Sequence, residues 1–368
     1  MSRLSAMRST CFQLVLLGSL LASIGVHSVA QESSRVHNSA FVLDNLYVEP
    51  GEKLSGRISI PALNGDEGTF IPVTVINGAH EGPVLSLIAG VHGSEYSPIL
   101  AMQSLTQLID PSEMNGTLIV VHIANLPSFQ GRTIYVSPVD KKNLNRSFPG
   151  DSDGTLTSRI AMALTSNVID RSDFLIDIHS GDGNESLRPA YAAYYKELGD
   201  DELIRQSRQL ALNFGLDTIV RFPGGYDSVD EAIYTSAQAL LRGVPAIDIE
   251  SGELGIIQDR FIQAIADGAK SVMRGLGMLD GAPSIAEAPI FIDERARIYS
   301  EIEGVWYPDT NAITGEIVTE GTTLGYITDY HGNRLEEVKA NATGILLILF
   351  GTPPVNVGDN IAVIGKLP

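Results

Sequence analysis

Apolar and polar positions along this chain fall into two regimes. Between about residue 70 and residue 280, short apolar runs alternate with stretches of helical composition. Strands are expected over 70–76, 84–89, 117–123, 174–178, 218–222 and 246–249, and helices over 95–109, 156–170, 200–214, 229–241 and 257–276. Strands that alternate with helices predict an α/β fold whose mainly parallel, mixed sheet is covered by helices on both faces. The runs are continuously apolar, as buried parallel strands require. Residues 31–69 read as a lead-in with one or two edge strands. The stretch 125–155 is a long loop rich in Pro, Gly, Asn and Arg, and loops of that length in compact domains are commonly functional.

Past the Pro- and Ala-rich stretch 281–289 the helical signal ends. Short β segments follow over 296–300, 304–307, 316–318, 323–327, 335–339, 344–350 and 360–364, which predicts a small all-β barrel or sandwich. The Gly-containing units 318–325 and 355–362 resemble the half-motifs of biotinyl/lipoyl-like barrels. No lysine stands at a hairpin tip between them, so no attached cofactor is expected. The division implied is 1–30, 31–285 with a core at 70–280, and 286–368.

Composition adds a location and removes some partners. Residues 1–30 carry Arg3 and Arg8, an apolar run over 12–24 and small residues up to Ala30, the pattern of a signal peptide cut after Ala30. A periplasmic or secreted protein is therefore expected. The only cysteine, Cys11, lies inside that leader, so neither disulfides nor cysteine ligands are expected in the remainder. The formal charge is -19, and -21 once the two leader arginines are gone, which argues against nucleic acid and anionic membranes as partners. No stretch reaches the roughly 18 apolar residues a membrane span needs. The oligomeric state is left open.

Candidate chemistry sits where strands end. The 84–89 run ends at Gly90, and His92 and Glu95 follow three residues apart, where both can face one ion. Open α/β sheets place ligands outside the carboxyl ends of their strands. His179 ends the 174–178 run in the same way and is the best third ligand. His122 reads as a hydrogen-bonded core histidine, and His80 and His331 lie in turn-like surroundings. Two imidazoles and a carboxylate are a donor set that zinc accepts, with a position left for water. Asp177, two residues before His179, shares its side of the strand; it could orient an imidazole or serve a nearby amide or arginine with equal ease. Glu250, at the end of the 246–249 run, is the candidate general base, with Glu253 as competitor. In the long loop, Asn145 and Arg146 suit a substrate carboxylate, and Arg132 could polarise a scissile carbonyl.

Four motifs in order, Gly90-Val-His-Gly-Ser-Glu95, Asn143-Leu-Asn-Arg-Ser-Phe-Pro-Gly150, Asp177-Ile-His-Ser-Gly181 and Pro245-Ala-Ile-Asp-Ile-Glu-Ser-Gly252, resemble the succinylglutamate desuccinylase/aspartoacylase family, relatives of the zinc carboxypeptidases. The resemblance implies a zinc carboxypeptidase-like fold and one zinc ion held by His92, Glu95 and His179. It also implies a carboxylate held by Asn145 and Arg146, Glu250 as general base and acid, and Arg132 as carbonyl polariser. The chain departs from the family where Lys141 follows Asp140 in place of the usual glycine. The expected activity is cleavage of an amide bond, in an N-acyl amino acid or at a peptide C-terminus, by metal-activated water; esters stay open. The alternative is a non-catalytic protein that binds carboxylate-bearing amino-acid derivatives on the same fold.

Overall fold

In the computed structural model, residues 38–63 and 65–367 are described, and they belong to one compact unit spanning Val36–Pro368. The leader read over residues 1–30 lies outside the described residues. A nine-stranded sheet runs in the order Ile290–Ile292, Thr218–Phe222, Tyr191–Tyr195, Ala246–Glu250, Phe174–His179, His80–Ala89, Asn115–Val121, Thr69–Asn77, Glu52–Ile60. The centre is parallel: Phe174–His179 pairs in that sense with both Ala246–Glu250 and His80–Ala89. Antiparallel pairing enters at Tyr191–Tyr195 and again toward the Glu52–Ile60 edge.

Two-residue alternation divides the central strands between two cores. Leu85, Leu87, Ile176, Ile178, Ile247 and Ile249 face one layer, built from the helices Tyr96–Leu108, Asp201–Phe214 and Asp259–Gly275. Ile88 and Leu175 face the other, with Leu156–Asn167 and Thr235–Leu241. Both faces are therefore apolar and fully covered, and each fully buried Leu or Ile contributes roughly 1.5–3 kcal/mol. No helix among the described residues is long and apolar enough to cross a membrane.

Three elements differ from the sequence expectation. Tyr191–Tyr195 is an internal strand where none is expected, because an Ala/Tyr segment lacks the β-branched residues that mark strands. The helix expected over 229–241 is shorter, Thr235–Leu241. Its first amide is taken by Asn145 Oδ1 at 3.0 Å, a cap supplied from the distant loop. The helix expected over 156–170 ends at Asn167, and a 3₁₀ turn, Ile169–Arg171, follows it.

The C-terminal strands form two antiparallel sheets, one containing Arg295–Tyr299, Asn360–Lys366, Gly344–Phe350 and Ile317–Val318, the other Arg334–Lys339, Thr323–Thr328, Gly304–Pro308 and Pro354–Val355. Their shared core is organised on Trp306, which is 1% exposed and donates its indole N–H to Phe350 O at 2.8 Å. Glu185–Leu187, in the loop after His179, pairs antiparallel with Gly344–Phe350. That pairing brings the C-terminal strands to the edge where the catalytic motifs end.

The departure at Lys141 has a measurable signature. Lys141 adopts φ 58°, the left-handed conformation that glycine takes without steric cost. The loop holds this shape because Asp140 accepts from Thr157 N and Oγ1, at 2.8 and 2.7 Å, at the start of a helix. Lys141→Gly should raise stability by roughly 0.5–1 kcal/mol, the relieved left-handed penalty exceeding the added flexibility of the unfolded chain. Denaturant unfolding measures it, and a lower midpoint would contradict it.

Candidate active site

Strand geometry assembles the site. His179 and Glu250 are register partners on adjacent parallel strands, and Asp177 and Asp248 are partners two residues earlier. All four therefore project from one face at the carboxyl ends of two neighbouring strands, while the intervening isoleucines face the opposite core. The third contribution comes from the neighbouring His80–Ala89 strand. Gly90, at φ 70°, turns the chain off the sheet. Gly93 then passes so close to the backbone of Ser128 and Phe129 that a β-carbon there would lie 2.1 Å from the Phe129 nitrogen. This contact places His92 and Glu95 over the strand ends. Glu95 stands at the N-cap of the Tyr96–Leu108 helix yet makes no capping bond, because its carboxylate is turned toward the two imidazoles.

The donor atoms converge. Glu95 Oε1 lies 2.8 Å from His92 Nδ1, and Glu95 Oε2 lies 3.0 Å from His179 Nδ1. One ligand atom from each of the three residues can be chosen within 4.8 Å of the others. The remaining ring nitrogens face oxygen acceptors: His92 Nε2 meets Asn143 Oδ1 at 3.2 Å, and His179 Nε2 meets Asp177 Oδ2 at 2.9 Å. Acceptors at Nε2 fix the proton there and leave a lone pair on each Nδ1 aimed at the cluster. Of the two uses open to Asp177, the geometry thus places it on His179.

Charge around this centre is strongly negative. Glu95, Asp177, Asp182, Asp248 and Glu250 crowd two histidines. Burial, reinforced by the Glu95 charge, pushes the Asp182 carboxyl up to about 7. Burial and then the Asp177 charge push Asp248 up to about 7. Burial also raises Glu250 well above the usual carboxylate range, opposed by His179 and reinforced by Glu95. Glu95 alone is held low, at about 2: burial opposes its ionisation, but the His179 and His92 charges outweigh it. Carboxylates that cannot all ionise beside two imidazoles whose lone pairs converge are a donor set short of a cation. The residues fit a divalent metal.

These side chains line an open cavity of about 640 Å³. Arg146 lines it with its guanidinium 4.3 Å from the Tyr234 ring, held by Nη1 donating to Asn145 O at 2.6 Å. Asn145 also lines it, but its carboxamide oxygen is occupied by Thr235 and its nitrogen faces His179 Nε2 at 3.4 Å. Glu250 reaches the cavity with no hydrogen-bond partner among the described residues. Glu253 does not line it; it is buried, accepting from Arg188 Nε and Ser186 Oγ, each at 2.9 Å. The structure does not bring Arg132 to the site. Its side chain is exposed and outside the cavity lining, and its backbone closes the Leu126–Gly131 helix in the left-handed conformation. Of the other histidines, His122 bonds Thr74 Oγ1 at 2.8 Å through Nε2, apart from the cavity, as a core histidine does.

Several cavity residues escape the motif reading. Tyr135, three residues beyond Arg132, packs edge-on to His92 with ring centres 5.7 Å apart and donates to Glu185 Oε1 at 2.8 Å. Asp182 accepts from Gly183 N at 2.8 Å beneath His92. Arg295 and Arg297 enter from the C-terminal strands. For the two arginines a local signal exists in the alternation Arg295-Ala-Arg-Ile-Tyr299, which presents three polar or amphipathic side chains on one face of a short strand.

Comparison with known proteins agrees with this geometry. The family profile described as the succinylglutamate desuccinylase/aspartoacylase catalytic domain matches residues 81–276. Over 320 residues the chain is 30% identical to an N-alpha-acetyl-L-2,4-diaminobutyric acid deacetylase of Halomonas elongata, covering 85% of this chain and 91% of that protein. A succinylglutamate desuccinylase/aspartoacylase from Rhodobacter sphaeroides superimposes with a TM-score of 0.75 at 26% identity, over 86% of this chain and 95% of its own. The product-bound ectoine utilization protein EutE (DoeB) of Ruegeria pomeroyi does so with a TM-score of 0.78 at 25% identity, over 89% and 99%. These relatives correct the expected periplasmic or secreted location: they are deacylases of the cytoplasmic type, and the leader that suggested export lies outside the described residues.

Proposed function

Because this chain belongs to the succinylglutamate desuccinylase/aspartoacylase family, whose members are amide-bond deacylases, we propose that it is a zinc-dependent hydrolase that removes the acyl group from an N-acyl amino acid. The observation that carries this reading is the convergence of His92, Glu95 and His179 beside Glu250, on strand ends facing one cavity with Arg146.

His92 and His179 would hold the ion through Nδ1 and Glu95 through its carboxylate. When bound there, zinc supplies Lewis acidity toward the scissile carbonyl and acidifies water. Arg146 offers a fork of donors to the substrate carboxylate, which sets the amide at a fixed distance from Glu250. Glu250 accepts a proton from the attacking water, a C–O bond forms at the acyl carbon, and the same proton passes to the nitrogen as the C–N bond breaks. Neutral amine and free acid leave, and Glu250 returns to its starting form. The crowding that raises Glu250 also makes it a better base than a solvated glutamate.

The test combines metal analysis with product detection. Purified protein should carry about one zinc per chain and release free amino acid from N-acyl amino acids. Zinc without hydrolysis of any such amide would instead support a binding protein on this fold, and absence of zinc after reconstitution would reject the reading.

A further inference from the structure

The Arg295–Tyr299 strand divides its side chains by alternation. Ala296 and Ile298 pack on the C-terminal core, while Arg295, Arg297 and Tyr299 line the cavity that holds His92, His179 and Glu250. Two guanidiniums therefore reach the reaction site from outside the four motifs. Among the described residues neither pairs with a carboxylate, whereas Arg159, Arg188 and Arg242 do, with Asp66, Glu253 and Asp170.

Their surroundings position them without neutralising them. Arg295 stacks over the Phe222 ring at 4.3 Å, which occupies its flat face and leaves its N–H edge available. The Asn360 carboxamide oxygen accepts from Arg297 Nη1 at 3.3 Å. The acid of the adjacent turn, Asp359, is engaged by Asn356, which donates to its Oδ2 from N at 2.8 Å and from Nδ2 at 3.2 Å. Glu185 is taken by Tyr135. Glu250 is the acid whose charge reaches Arg295, and it is raised toward its neutral form. Holding a guanidinium out of bulk water with no counter-ion is costly. Burial accordingly pulls Arg295 below the usual arginine range. An anion entering the cavity would supply the missing charge.

We propose that Arg295 and Arg297 form a second anion subsite, so that the preferred substrates are N-acyl amino acids bearing two carboxylates, one held by Arg146 and the other by the Arg295/Arg297 pair. This rests on the deacylase reading above. The second carboxylate has two chemical sources, an acidic amino-acid side chain or a dicarboxylic acyl group, and both present the same planar oxygen pair to the guanidiniums. An ammonium at that place would meet two like charges with water partly excluded, which disfavours it. The diaminobutyrate type of substrate named for the Halomonas relative is thus predicted to be a poor one here.

The experiment compares kcat and KM for four substrates on the zinc-loaded protein: N-acetylalanine, N-acetylaspartate, N-succinylalanine and N-acetyl-2,4-diaminobutyrate. At least one dianionic substrate should exceed N-acetylalanine in kcat/KM by about tenfold or more, a charge-assisted contact's worth, and the diaminobutyrate derivative should fall below it. Which dianion leads assigns the second carboxylate to the side chain or to the acyl group. In Arg295→Met and in the more exposed Arg297→Met, KM for that dianion should rise at least ten times more than KM for N-acetylalanine, with lysine at either position restoring part of the difference. Loss of equal size on neutral and dianionic substrates would overturn the subsite and leave these arginines as structural. So would a wild type that hydrolyses these amides without regard to charge, while the deacylase reading stood. Hydrolysis of none of the four overturns both.

Discussion

Glu250→Gln should bind zinc normally and lose kcat by about 10²–10⁴-fold, the usual worth of a positioned general base. Glutamine keeps the shape and volume of the side chain but cannot take a proton, and none of the three converging donors is touched. KM should change little, because Arg146 is independent of Glu250. The pH dependence carries a sign. A general base works only when deprotonated, so wild-type kcat/KM should fall as pH drops through the Glu250 pKa, which burial raises above the usual carboxylate value, and this acid limb should vanish from the residual activity of the variant. Stability should move the other way. An acid whose folded pKa is raised costs stability once the pH exceeds its unfolded value, so metal-free Glu250→Gln should melt at the same temperature as wild type or higher at neutral pH. Retention of near-wild-type turnover would remove Glu250 from the reaction. Glu253 is a poor replacement, since both of its oxygens are already committed to Arg188 and Ser186.

The parts of this site legible in the sequence are those set by single strands. A continuous apolar run ending in glycine locates a buried parallel strand and its carboxyl end, and period-two alternation places Asp177 with His179 and, by the same rule, Asp248 with Glu250. What the linear pattern does not encode is which distant segments share an edge. Arg295 and Arg297 reach the cavity because Glu185–Leu187 pairs with Gly344–Phe350, a contact between segments more than 150 residues apart. Their alternation marks a strand with a polar face and says nothing of what that face meets. The loop supplies the opposite lesson. Arg132 has the right chemistry for a carbonyl polariser, but its left-handed backbone ends a short helix and leaves its side chain in solvent, and Tyr135 faces His92 instead. Residue type selected the arginine; backbone conformation selected the tyrosine. The helix start at Thr235 is non-local too, since its cap comes from Asn145.

The largest effect is expected from removing both imidazoles. In His92→Ala/His179→Ala the carboxylates of Glu95, Asp177, Asp182, Asp248 and Glu250 remain together with neither neighbouring positive charge nor nitrogen donor. Zinc should then be absent from the purified protein, and turnover should fall to background. Thermal melting separates this from general damage. A ligand that binds only the folded chain stabilises it by about 4 kcal/mol at a thousand times its dissociation constant, so wild type should melt several degrees higher with zinc and the double variant should not respond. A second readout follows from electrostatics. In wild type His179 and His92 hold Glu95 low, which adds stability above the unfolded pKa of Glu95 that is lost as pH falls through about 2. Without the imidazoles, burial and the other carboxylates push Glu95 up instead, and the sign reverses: the metal-free variant should lose stability as pH rises from 5 to 8, more steeply than metal-free wild type. The single variant His92→Ala, which leaves the Asp177–His179–Glu95 chain intact, guards against a double variant that does not fold; it should bind zinc much more weakly and be inactive at limiting metal. Full zinc occupancy in either variant, or a melting temperature that still climbs with zinc in the double variant, would show that the ion is held elsewhere.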